Sequence, residues 1–231
     1  MTKIFCDIAD LSLIKKFNKF PIVKGFTTNP SLIRKAGAKD YKNYCNKILK
    51  ITGKPVSIEV FADDQKNMIS QGLKINSWGK NVYVKVPIIN SKGAFSGKVI
   101  NQLNNKNIKL NITAVYTALQ TKRILGKINK KTKVIISIFA GRMADVGKDP
   151  IPEIKKSLIY AKKFKNVEIL WASTREPYNY LQAKQIKCDI ITIPPSIISK
   201  IMKFGKTYNK LTKDTVVNFL VDSKRSNFKI K

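Results

Sequence analysis

A lysine closes an apolar run of strand formers, Val82-Tyr83-Val84-Lys85-Val86-Pro87. Valine and tyrosine favour extended backbone, and the proline ends the run. Burying an amine at the end of such a strand disfavours its ammonium form. A neutral amine is the nucleophile that forms a Schiff base with a carbonyl. Taken alone, the run reads better as an edge strand whose lysine faces solvent, because the chain is rich in lysine throughout. Its partners further along the chain reverse that preference. Composition removes several competing chemistries. The chain contains no histidine, which excludes Ser-His-Asp and Cys-His nucleophiles and the commonest metal ligand. Acid–base work must fall to Asp, Glu, Lys, Tyr or Cys, and no metal or cofactor is expected.

Strand patterns recur at Ile4–Ile8, Val23–Phe26, Val56–Phe61, Val82–Val86, Lys109–Thr113, Val134–Phe139, Val167–Trp171 and Ile190–Ile193. Helical patterns fall between them, around Ala9–Phe20, Ser31–Thr52, Asp63–Trp78, Gly93–Asn104, Val115–Lys127, Pro152–Phe164, Pro177–Lys187 and Pro195–Phe204. Such alternation implies a parallel sheet with right-handed crossovers. Eight units in 231 residues predict an α/β fold, a (β/α)8 TIM barrel, as a single domain over residues 1–231. An open doubly wound sheet would need a Gly-rich phosphate loop after the first strand, where Asp7-Ile8-Ala9-Asp10 stands instead. A ninth helical pattern, about Lys213–Asp222, predicts an additional C-terminal helix, with 205–231 as helix and basic tail.

The formal net charge of +31 invites a nucleic-acid or anionic-membrane reading. Forty of the 45 basic residues are lysines spread along the whole length, with no compact block interleaved with aromatics. Binding faces cluster their charge. A compositional drift of the chain is the better reading, and nucleic acid is not an expected partner. Cys6, Cys45 and Cys188 are odd in number and lack metal-type spacing. They read as reduced thiols, and the N-terminus enters a strand pattern without a signal-peptide core. No apolar stretch is long enough to span a bilayer. A soluble cytoplasmic protein is expected, with no membrane partner.

In such a barrel, chemistry sits at the C-terminal ends of the strands. Those ends read Asp7, Thr28-Asn29, Glu59, Lys85, Asn111 and Thr113, then Ser137, Phe139 and Arg142, then Ser173 and Arg175. Parity agrees: Asn111 and Thr113 share one strand face, as do Ser137 and Phe139. Together the segments Cys6–Asp10, Thr27–Ser31, Ser57–Val60, Val84–Pro87, Asn111–Thr113, Phe139–Arg142 and Ala172–Arg175 resemble the transaldolase family of small Schiff-base aldolases. The resemblance spans essentially the whole chain. A single piece, such as Thr27-Thr28-Asn29-Pro30-Ser31, is weak, because it also suits a helix N-cap followed by proline. Seven in order are specific.

The resemblance implies Lys85 as the Schiff-base amine attacking the ketone of a phosphorylated ketose. It implies Asp7 as general acid/base at the sugar hydroxyl, with Glu59 and Thr113 holding and activating water. Asn29 and Asn111 would bind the hydroxyls of a dihydroxyacetone unit, with Thr28, Ser137 and Phe139 in the same substrate-facing set. Arg142, Ser173 and Arg175 match the phosphate site. Two of the chain's five arginines fall there, and arginine's planar fork suits a phosphate as lysine does not. Without the resemblance, Asp7 reads equally as a carboxylate at a helix N-terminus, Asn29 as a cap and Glu59 as a loop acid. The chain departs from the family's usual pattern at Ile138 and Trp171, and its loop Asp145–Pro150 could reshape the acceptor pocket. Within the family, the fructose-6-phosphate aldolase branch carries glutamine in place of Glu59, tyrosine in place of Phe139, and no asparagine at 111. The expected activity is therefore dihydroxyacetone transfer between phosphorylated sugars. The alternatives are a plain aldolase, a paralogue acting on an unusual sugar, and a basic nucleic-acid-binding barrel without catalysis. The resemblance further implies a homo-oligomer in which the C-terminal helix packs on a neighbour; Thr215–Val221 is apolar enough to do so, and equally to cap its own barrel.

Overall fold

The computed structural model describes residues 1–226 and 229–230. The strands are β1 (Lys3–Asp7), β2 (Val23–Thr27), β3 (Val56–Glu59), β4 (Val82–Pro87), β5 (Leu110–Val115), β6 (Val134–Ile138), β7 (Val167–Trp171) and β8 (Ile190–Ile193). All pairings are parallel, and β8 returns to β1, closing the barrel in sequence order. The first helices are α1 (Leu11–Asn18), α2 (Pro30–Lys35), α3 (Tyr41–Ile51), α4 (Gln65–Asn76), α5 (Gly97–Asn105) and α6 (Ala118–Leu125). They are followed by α7 (Ala140–Ala144), α8 (Ile151–Ala161), α9 (Tyr178–Gln185), α10 (Pro195–Ile201) and α11 (Tyr208–Ser226). The TIM barrel and its C-terminal helix are as the alternation predicts.

Strand parity sorts the core into two layers. Ile4, Cys6, Ile58, Val84, Val86, Ile112, Ile136 and Ile193 point outward and pack under the helices in one large cluster. Each such fully buried aliphatic chain contributes about 1.5–3 kcal/mol of burial energy. The opposite parity forms a small inner cluster of Phe5, Tyr83, Ile135, Leu170, Ala172 and Ile190 that plugs the barrel. Gly25 belongs to this plug, since a Cβ there would lie 2.6 Å from the Phe5 ring. Two residues further along, the inward positions turn polar on several strands, as from Phe5 to Asp7, Tyr83 to Lys85 and Ile135 to Ser137. The apolar plug thus becomes the floor of a polar chamber.

The elements differ from the sequence reading in four instructive places. The helix expected over Ser31–Thr52 is two helices, because Gly37 (φ 82°) breaks it and the Asp40 carboxylate caps α3 by accepting from Asn43 N at 2.6 Å. The helix expected from Gly93 starts at Gly97; Gly93 (φ 80°) closes a tight turn first. The five-residue α7 is unexpected, and it matters for the site. α11 is longer than the predicted Lys213–Asp222 and has no buried residue, so it does not cap its own barrel. Of the expected tail, positions 227, 228 and 231 lie outside the described residues. Among the described residues no helix is long and apolar enough to cross a membrane.

Candidate active site

At the C-terminal mouth a cavity of about 210 Å³ is lined by inward-facing strand ends and by the loops after β6 and β7. Lys85 rises from β4 into it and is only 8% exposed. Its Nζ lies 3.0 Å from Glu59 Oε2 and donates to the Thr28 carbonyl at 3.1 Å. Burial alone therefore does not describe this amine: it sits in an ion pair with Glu59. Strand register puts the two side by side, Glu59 opposite Lys85 on β3 and β4. Tyr41 pins Glu59 further by donating to its backbone carbonyl at 2.8 Å.

Asp7 stands at the end of β1, held by the Thr27 hydroxyl, which donates to Oδ1 at 2.7 Å. Thr27 and Thr192 hydroxyls are 2.5 Å apart. With Thr27 committed as donor to Asp7, Thr192 must donate to Thr27, so the chain Thr192–Thr27–Asp7 has one direction. Burial pushes the Asp7 carboxyl above the usual carboxylate range, against the lowering by Lys85 and the Thr27 hydrogen bond. The second carboxylate of the chamber is thus biased toward keeping a proton, unlike one free in water.

Asn111 is fully buried and fixed from both sides, its Nδ2 donating to Ser57 Oγ at 2.9 Å and its Oδ1 accepting from Ser137 at 2.6 Å. One amide hydrogen remains for the cavity. Thr113, 2% exposed, has a hydroxyl without a hydrogen-bond partner among the described residues. A buried unpaired hydroxyl on a cavity wall suits water or a substrate oxygen. Next to it Ala114 adopts φ 59°, where the β5–β6 register shifts between Ile112 and Val115. Asn29 acts as the cap of α2, its Oδ1 accepting from Leu32 N at 2.9 Å, and the residue also lines the cavity.

At the rim are Phe139, Arg142, Ser173 and Arg175. Arg142 lies over the Phe139 ring at 5.5 Å. The rim is built by the close approach of α7 to the end of β7, where a Cβ on Gly141 would lie 1.6 Å from the Ser173 carbonyl oxygen. Ser173 itself is left-handed (φ 65°). Arg175 grips Asp145 through Nε and Nη2.

The structure thus gathers Asp7, Asn29, Lys85, Asn111, Thr113, Ser137, Phe139, Arg142, Ser173 and Arg175 around one cavity. Glu59 reaches it through Lys85 instead of lining it. Thr28 does not line it: its hydroxyl donates to the Ser57 carbonyl at 2.7 Å, and it contributes only its carbonyl, to Lys85. Sequence reasoning missed Thr27, Ser57 and Thr192. Parity could have found Thr27, two residues past Gly25 on the inward face, and Thr192, two past Ile190.

Comparison with known proteins agrees with this geometry. A sequence model described as Transaldolase/Fructose-6-phosphate aldolase matches residues 4–231. A probable transaldolase of Thermoplasma volcanium is 36% identical over 228 residues, covering 96% of each chain. One from Nitrosopumilus maritimus is 34% identical, covering 95% of this chain and 94% of its own. One from a Sulfurihydrogenibium species is 37% identical, with 89% and 91% covered. Among solved structures, a proposed phosphonomutase from Burkholderia cenocepacia superposes with TM-score 0.59 at 10% identity, covering 92% of this chain and 94% of that one; the likeness concerns the fold alone. A buried strand-end lysine paired with a glutamate, an aspartate across the chamber and a full-length match lead to one assignment: the chain belongs to the transaldolase/fructose-6-phosphate aldolase family.

Proposed function

We propose that this protein is a transaldolase, moving a dihydroxyacetone unit from a ketose phosphate, sedoheptulose 7-phosphate or fructose 6-phosphate, to an aldose phosphate. The observation that carries the reading is the buried Lys85–Glu59 pair opening on a cavity that also holds Asp7. Glu59 takes a proton from Lys85, and the freed amine adds to the substrate ketone. Glu59, with a water held at the Thr113 hydroxyl, moves the protons that expel water from the carbinolamine. The protonated imine then draws electrons as the C3–C4 bond breaks. Asp7 accepts the C4 hydroxyl proton in that step and returns it to the acceptor's aldehyde oxygen when the new bond forms. A carboxyl whose pKa is raised by burial suits this two-way role.

Asn111 and Asn29 hold the hydroxyls of the three-carbon unit, and Arg142, Ser173 and Arg175 hold the phosphate. Phe139 brings no hydroxyl to the cavity, so nothing at that place orients water for hydrolysis of the adduct. This favours transfer over plain aldol cleavage. The setting inferred is cytoplasmic, where the buried Cys6, Cys45 and Cys188 remain thiols. The reading includes a homo-oligomer, because α11 exposes Val216, Val217, Phe219 and Leu220 with nothing of its own barrel over them.

The test is release of glyceraldehyde 3-phosphate from fructose 6-phosphate, with and without erythrose 4-phosphate. Transfer predicts a rate well above the acceptor-free rate. Equal rates would identify a plain aldolase, and activity in neither would remove fructose 6-phosphate as donor.

A further inference from the structure

We propose that Asp145 is a positioning residue for phosphate binding: it holds the side edge of the Arg175 guanidinium so that the end edge faces the cavity. The inference rests on the reading of Arg175 as a phosphate ligand.

An arginine offers five N–H groups in a planar fork. Asp145 takes the side edge, with Nε donating to Oδ1 at 3.0 Å and to Oδ2 at 3.2 Å, and Nη2 donating to Oδ2 at 2.6 Å. Among the described residues Nη1 has no partner. Nη1 and the second Nη2 hydrogen form the end edge of the fork, which matches a phosphate bidentately. The side chains of Arg175 and Asp145 are 48% and 47% exposed, and an isolated pair that open contributes little to fold stability. Its geometry is nonetheless built from both sides. Asp145 N donates to the Gly141 carbonyl at 2.9 Å, so α7, jammed against Ser173, sets the carboxylate. Arg175 N donates to Asn179 Oδ1 at 3.0 Å, which sets the other end. A long side chain at an open rim otherwise samples many rotamers, and holding it in the binding orientation before the ligand arrives improves affinity.

A carboxylate beside a phosphate site has an opposite possible effect, competition with the ligand for the same arginine. The two differ in sign. Steady-state kinetics with fructose 6-phosphate and erythrose 4-phosphate should be measured for Asp145→Ala, Asp145→Asn, Arg175→Ala and the Asp145→Ala/Arg175→Ala double variant. Borohydride trapping of unphosphorylated dihydroxyacetone on Lys85 serves as the phosphate-independent readout. Positioning predicts that Asp145→Ala raises KM about 3- to 10-fold with kcat nearly unchanged, and that Asp145→Asn, which keeps one acceptor, falls between. It also predicts that Asp145→Ala adds nothing in the Arg175→Ala background, and that trapping is unaffected throughout. A lower KM in Asp145→Ala would overturn the proposal in favour of competition. An equal KM rise in both backgrounds, or weakened trapping, would overturn it in favour of a general structural role. An unchanged KM in Arg175→Ala would remove Arg175 from the phosphate site and this inference with it, while the trapping result would still report on Lys85.

Discussion

Replacing Gly141 by alanine is the severest small change the rim can suffer. The added Cβ would lie 1.6 Å from the Ser173 carbonyl oxygen and 2.8 Å from its carbonyl carbon, both backbone atoms that no rotamer can move. Ordinary contact begins at 3.4 Å, so α7 and the end of β7 must part by about 1.8 Å. Overpacking of this kind costs about 1–3 kcal/mol. In a chain of this size each kcal/mol lowers Tm by about 2–4 °C. The displacement also separates Arg142, on α7, from Ser173 and Arg175 beyond β7. A 1 Å misplacement costs on the order of 10²-fold in a positioned site, so kcat/KM for a phosphorylated donor should fall by at least that. Lys85, Glu59 and Asp7 stand on β4, β3 and β1, away from the clash, and dihydroxyacetone should still be trapped on Lys85. The assay pairs thermal unfolding with steady-state kinetics on fructose 6-phosphate. A Gly141→Ala protein with unchanged Tm and unchanged KM would refute the proposed construction of the rim.

Asp7→Asn should lose about 10²–10⁴-fold in kcat, the usual worth of a general acid/base, yet gain stability. The folded carboxyl lies above its ordinary value, so its ionisation costs folding energy at neutral pH and none below both values. The Tm gain of the variant should be present at pH 7 and fade as pH falls toward about 4; a gain that grows on acidification would contradict the sign. Phe139→Tyr brings a phenol beside the adduct and should raise acceptor-free release of glyceraldehyde 3-phosphate relative to transfer; an unchanged ratio of the two rates would remove Phe139 from that role.

The barrel was legible because its two periods never conflict: β-branched residues occur in every strand, and proline or glycine punctuates most helices. What stayed hidden was local and conformational. Gly37 and Asp40 split one apolar-periodic stretch into two helices, and periodicity alone does not register such a break. α7 has five residues, too few to carry a period. Lys85 was recognisable by its place at a strand end, but its pairing with Glu59 follows from the β3–β4 register, which depends on the closed sheet. Thr28 and Thr27 show the limit of motif reading: neighbours in one motif, they face opposite ways, and only Thr27 reaches Asp7. The engagement of Arg175 by Asp145 depends on two loops meeting, and no spacing along the chain announces it.

The central claim is that Lys85 alone among forty lysines becomes covalently bound to substrate. Incubation with fructose 6-phosphate, reduction with borohydride and peptide mapping by mass spectrometry tests it most directly. The account predicts one substrate-derived mass, on the peptide containing Lys85, absent in Lys85→Ala and lost without reductant. Modification centred on another lysine, or none under turnover conditions, would contradict it.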